Sequence, residues 1–127
     1  MPDLRERCEQ LAERLEFHLP VVLTGAARFA DGTLRFSFGP TDNPNWQTVP
    51  APAAPLHEHL AFVGRIATAL PEGWRLVQVE DEDAGYGIEP AWVVRFWGRK
   101  DGTKVGRAPS PTEAAIDAAL AVLEETP

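Results

Sequence analysis

Along residues 91–99, AWVVRFWGR, the side chains alternate in the two-residue period of a strand. Trp92, Val94 and Phe96 fall on one face and predict a core contact. Val93, Arg95, Trp97 and Arg99 fall on the other, which mixes charge with a large aromatic. Asp101-Gly102 tolerates positive φ, so the chain is expected to reverse there, with Lys104 to Arg107 returning as an edge strand. Arg107-Ala108-Pro109 ends that strand. Ser110-Pro111-Thr112-Glu113 then carries the Ser and Glu of a capping box around a proline suited to the first helical position. In the helix that follows, Ala115, Ile116, Ala119, Leu120, Val122 and Leu123 form a broad apolar face, and its alanines allow close approach to a sheet. This helix reads as packing, without chemistry.

The upstream pattern supplies material to pack against that unit. In residues 3–17, Leu4, Cys8, Leu11 and Leu15 recur at spacings of four and three, the stripe of an amphipathic helix docked on its own domain or on a second copy. Two heptads are short for a coiled coil. Leu19 to Phe38 reads as a hairpin turning at Asp31-Gly32. Leu34, Phe36 and Phe38 form its buried face, Arg35 and Ser37 its wet one, and Gly25 marks a bend. Residues 39–55 hold five prolines and read as a stiff connection without an element of its own, laying Trp46 over a groove as a strap or forming a lid. Leu56 to Leu70 predicts a second helix, largely buried through Leu60, Phe62, Val63, Ile66, Ala67 and Leu70. Pro71-Glu72-Gly73 stops it, Trp74 to Val79 starts a strand, and an acidic loop EDEDAGYGIEP follows.

The order is therefore α-β-β-α-β-β-β-α, an α+β fold: one antiparallel sheet of four to five strands packed with three helices as a single-domain sandwich. Within 1–127, the amino-terminal helix takes 1–18, the proline-rich loop 39–55 and the α-β-β-β-α unit 56–126. A chain of 127 residues buries about two-thirds of its unfolded surface, enough for a core without staples. One cysteine, Cys8, gives neither a disulfide framework nor a structural zinc set, which fits a reducing, cytoplasmic setting. MPDLRERCEQ is too charged for a signal peptide, and no apolar run is long enough to span a bilayer.

Charge sharpens the picture locally. The formal net charge of -7 argues against general affinity for nucleic acid. Residues 72–89 carry one arginine against six acids, whereas residues 95–107 carry five bases against Asp101 alone. The two segments either neutralise each other or leave a basic patch for an anion or acidic partner. His57-Glu58-His59 has metal-ligand chemistry, yet residues two apart on a helix point to different sides, so all three read as solvated helix-start residues. Glu80 to Asp83 lacks the spacing and glycine of a calcium loop. Gly85-x-Gly87 lacks the third glycine and the following helix of a dinucleotide loop. The serines are assigned to a strand (Ser37) and a cap (Ser110), and Cys8 lies on an apolar stripe, so no nucleophilic triad assembles. No metal and no cofactor are implied.

The second half, helix, three strands and helix, is similar in topology to double-stranded RNA-binding domains, and GTKVGRAPSPTEAAIDAALAVLEE resembles their turn and alanine-rich final helix. Where that family places phosphate-binding lysines, this chain holds Ser110, Pro111, Thr112 and Glu113, which removes the main RNA contact. Residues 56–125 also resemble the phage-encoded ABA sandwich family, through a helix, a Trp74 strand, a Trp92 and Phe96 strand, and a final Thr112-x-x-Ala115-Ile116 helix. That resemblance implies a small accessory protein of a phage or prophage with no established chemistry. The expected function is non-enzymatic binding of a protein partner or small anionic ligand through Arg95, Trp97, Arg99 and Lys100, with Trp46 as a cover, to interfere with host machinery. The alternatives are a degenerate nucleic-acid-binding domain on the basic hairpin and a small metal-dependent hydrolase on the acidic loop.

Overall fold

The structure is a computed structural model and describes residues 4–18, 26–28, 34–37, 46–82, 91–99 and 102–125. The elements are α1 (Leu4–His18), β1 (Ala26–Arg28), β2 (Leu34–Ser37), β3 (Trp46–Thr48), α2 (Leu56–Ala69), β4 (Trp74–Glu82), β5 (Ala91–Gly98), β6 (Gly102–Ala108) and α3 (Pro111–Glu125). The class is α+β, with the three helices and the strand groups in the expected order. The strands form two three-stranded antiparallel sheets, β1-β2-β3 and β4-β5-β6, where a single sheet of four to five strands was expected.

At the start of α3 the Ser110 hydroxyl accepts from the Glu113 backbone N–H at 3.3 Å and donates to Glu113 Oε2 at 2.9 Å. The Glu113 carboxylate thus meets the serine hydroxyl and not the Ser110 backbone N–H of a reciprocal capping box. From there Ala114, Ala115, Ile116, Ala118, Ala119, Val122 and Leu123 are all buried. The helix lies on β5 and β6 with no side-chain layer at its closest point. A Cβ built on Gly106 would stand 1.9 Å from the Ala114 carbonyl oxygen and 2.6 Å from the Ala118 nitrogen. Gly106 is needed for space, not for its conformation.

The other two helices flank α3. The α1 stripe of Cys8, Leu11 and Leu15 is fully buried, and α1 packs on α3 as well as on β1 and β2, so its apolar face is used within this chain. Arg7 locks that contact: Nη2 donates to the Glu113 carbonyl at 2.8 Å and Nε to Asp117 Oδ1 at 2.9 Å. In α2 the buried residues are His59, Phe62, Val63 and Ile66, and the Phe62 ring meets Phe36 of β2 edge-on at 6.3 Å. One apolar cluster therefore runs from β2 through the helices to Val94 and Phe96 of β5.

Four further expectations change. Residues 39–55 do contain an element: β3 pairs with β2 (Ser37↔Trp46, Phe36↔Gln47, Arg35↔Thr48), because WQTV is a donor-bearing run of strand formers between Pro44 and Pro50. The expected wet face of β2 is not fully wet: Ser37 is fully buried, like Phe36, and Arg35 is half-buried. The apolar residues of α2 exceed what its neighbours cover, so Leu56 and Leu60 remain 48% and 43% exposed. Finally, β4 runs on through Glu80, Asp81 and Glu82, paired with Val93, Trp92 and Ala91, where an acidic loop was expected. Pairing with the long apolar β5 outweighs the poor strand preference of acids. Gly25, Asp31-Gly32, Phe38, Asp83, Gly85, Gly87 and Glu89 lie outside the described residues.

Candidate functional site

β5 is the central strand of its sheet, and alternation sends its side chains to two different surroundings. Val94 and Phe96 point into the core under α3 and are fully buried. Arg95 and Trp97 point to the opposite face, as the sequence predicts. Register then assembles that face in rows. Trp97 sits between Arg75 of β4 and Thr103 of β6; Arg95 sits between Gln78 and Val105; Val93 sits between Glu80 and Arg107. α3 packs on the other side of this sheet, with α1 and α2 against α3.

Trp97 is 36% exposed, and the Arg75 guanidinium carbon lies 4.8 Å from the centroid of its ring. At a solvated site such a cation–π contact contributes about 0.5–1 kcal/mol, enough to bias the indole toward one orientation. One row away, Arg95 Nε donates to Gln78 Oε1 at 2.8 Å, and Gln78 Nε2 donates to Glu80 Oε2. That relay engages the inner nitrogen of Arg95 and leaves its terminal nitrogens as donors for a ligand. Val93 on this face is buried, whereas Val105 is 41% exposed. The face thus combines a held aromatic, an oriented guanidinium and exposed apolar surface.

Arg99 is exposed just beyond the end of β5, at the same end as Trp97. Lys100 lies outside the described residues. Trp46, also 36% exposed, belongs to β3 in the other sheet opposite Ser37, so it does not share a strand row with Trp97. Arg75, Gln78 and Val77 were missed by sequence reasoning. Strict alternation from Trp74 to Val79 groups Arg75 with Val77 and Val79, but the register shifts between Leu76 and Gln78. The bulge at Val77 sends Gln78 to the outer face and lets Val79 pack against the core. A bulge leaves no local signature in this stretch.

The remaining candidate chemistry disperses. His57 and Glu58 are exposed, but His59 is not a solvated residue: it is 3% exposed, with Nδ1 2.8 Å from Thr112 Oγ1 and Nε2 buried without a partner. It sits on the α2 face that packs against α3, in register with Phe62, Val63 and Ile66. Among the described residues no three His, Cys, Asp or Glu side chains gather as a metal site. Burial pushes the Cys8 thiol up to about 12 from 9.0, which leaves it a poor nucleophile. Ser37 is fully buried and Ser110 is committed to its cap.

A concavity of about 500 Å³ opens between β3 and α2, lined by Gln47, Thr48, Pro50, Glu58, Phe62 and Arg65 among others. Among the described residues no helix is long and apolar enough to cross a membrane. Compared with protein-family models, with curated proteins and with solved structures, the chain finds no match in any of the three.

Proposed function

We propose that this chain is a binding protein whose partner, another protein, docks on the outer face of the β4-β5-β6 sheet. The observation that carries this reading is Trp97: a large indole, 36% exposed on the central strand, with the Arg75 guanidinium over it and Arg95 one row away. Tryptophan and arginine at the centre of a patch form the composition of interface hot spots. Rigid strands hold these groups in place before binding, so little side-chain entropy is lost on docking. The physiological role attached to this reading is that of a phage-type accessory protein acting by attachment to host machinery. A small anionic ligand on the Arg95 side of Trp97 is the second reading, favoured by the oriented guanidinium.

Arg95→Ala with Trp97→Ala tests it. Partner binding by the double variant should weaken by about 30-fold or more, equivalent to about 2 kcal/mol. Its melting temperature should stay within a few degrees of the wild type, since both side chains reach solvent. Loss of folding would show that the face is core and refute the reading. Binding that collapses steeply with salt and extends to any nucleic acid would replace it with phosphate-backbone recognition.

A further inference from the structure

The concavity between β3 and α2 shares no residue with the Trp97 face. On its α2 side stand Glu58, Ala61, Phe62 and Arg65, spaced three, four and seven residues from the first and therefore on one stripe of the helix. Gln47, Thr48 and Pro50 line it from the β3 side. Phe62, 3% exposed, and the buried Pro50 give it an apolar lining, whereas Thr48, Glu58, Ala61 and Arg65 are exposed. Its volume of about 500 Å³ falls within the range of small-molecule sites.

The polar groups of this lining are not equivalent. Gln47 and Arg65 already have interactions of their own within the chain. Among the described residues the Glu58 carboxylate has neither an ion pair nor a hydrogen bond; only its backbone N–H is engaged, by the Pro55 carbonyl. Glu58 and Arg65 are separated along α2 by about 10 Å of helix rise, roughly one Debye length at physiological ionic strength. A cation seated on Glu58 is therefore largely screened from Arg65. The chain as a whole, at a formal net charge of -7, also draws cations in preference to anions. An anion would have to compete for the engaged Arg65 within reach of an unpaired carboxylate.

We propose that this concavity is a binding site for an alkylammonium group, its ammonium on the Glu58 carboxylate and its apolar stem along Ala61, Phe62 and Pro50. An ammonium has three N–H donors, and the Thr48 hydroxyl in the same lining offers it a further acceptor. A free aliphatic amine and the end of a lysine side chain present this same chemistry, an apolar stem with a charged tip. The site is independent of the Trp97 face and adds a second ligand to the molecule.

The full-length protein is titrated at low ionic strength with hexylammonium chloride, with sodium hexanoate as the charge-reversed control and capped Ala-Lys-Ala as the lysine form, and backbone amide shifts are followed by NMR. Hexylammonium is expected to move Gln47, Thr48, Glu58, Ala61 and Arg65 saturably while Arg75, Arg95 and Trp97 stay still. Glu58→Gln should weaken binding about 5-fold, the equivalent of about 1 kcal/mol for an exposed ion pair. Ala61→Leu, which keeps both charges and fills the concavity from an exposed helical position, should weaken it at least as much, with the melting temperature of each variant showing that the fold is retained. A capped peptide that binds as tightly as the free amine, or more tightly, supports the site with a lysine side chain as its occupant; a weaker one supports it with a free amine. Hexanoate binding as well as hexylammonium, affinity unchanged in either variant, shifts confined to the Trp97 face, or no saturable shift up to the solubility limit would each overturn the inference.

Discussion

Gly106→Ala adds a single methyl group at the point where strand and helix backbones touch. The new Cβ would lie 1.9 Å from the Ala114 carbonyl oxygen, 2.6 Å from the Ala118 nitrogen and 3.0 Å from the Ala114 carbonyl carbon. All three are helix backbone, so no side chain can swing aside, and α3 must retreat by about 1 Å to reach tolerable separation. A gap of that size forfeits between about a quarter and a half of the dispersion attraction across it, and α3 carries Ile116, Val122 and Leu123 fully or almost fully buried. Overpacking of this kind costs about 1–3 kcal/mol and occasionally more; with backbone on both sides the upper end applies, about 3 kcal/mol. An unfolding entropy of about 2.1 cal/mol/K per residue over 127 residues converts this to a fall in melting temperature of about 11 °C. Gly64→Ala is the control, because nothing lies within 4 Å of its Cβ and it sits inside α2. There the same methyl should stabilise by about 0.5–1 kcal/mol through helix propensity, raising the melting temperature by about 2–4 °C. Far-UV circular dichroism melts of the three proteins, with urea titrations to check that m is unchanged, decide the matter. A Gly106→Ala protein that melts within about 3 °C of wild type would refute direct backbone contact between β6 and α3.

Two further predictions concern the interior. Thr112→Val leaves His59 Nδ1 unpaired in a buried site and should cost about 1–3 kcal/mol, whereas His59→Leu with Thr112→Val should cost less than the sum of the single changes. Strict additivity in urea unfolding would mean that the 2.8 Å contact contributes no coupling. The Cys8 thiol, pushed up to about 12 from 9.0, keeps its proton in the folded state over the range where the unfolded chain loses it. Its contribution to stability is therefore complete below pH 9 and is lost as pH rises from 9 toward 12. Cys8→Ala should lose less stability over that range than wild type, and superimposable alkaline profiles would contradict the burial; in parallel, native protein should resist thiol reagents at pH 8 until unfolded.

What was legible in the sequence divides by the range of the interactions concerned. The α3 cap could be read because Ser110, Pro111 and Glu113 are neighbours, and the structure places both Ser110–Glu113 hydrogen bonds where local geometry demands. The two faces of β5 were legible because a strand alternates whatever it pairs with, so Arg95 and Trp97 were correctly put together. Arg75, which lies over Trp97, was not, because its place depends on β4 register and on a bulge that no local residue announces. His59 was misjudged for a related reason: its neighbours in sequence are exposed, while its partner Thr112 is 53 residues away.

By itself the sequence determined the helices, the strand alternation, the α3 cap and the concentration of basic residues around β5 and β6. These follow from spacing, capping and propensity within about one turn or one strand of chain. Only the tertiary structure decided that the strands divide into two sheets, that three residues of a proline-rich segment pair as β3, and that the acids of residues 80–82 extend β4. It alone placed Arg75 over Trp97 and left β6 as the edge without a bulge. Pairing and burial are settled by which surfaces meet across the fold, and a free energy gained between distant segments overrides the weak local preferences that a sequence displays.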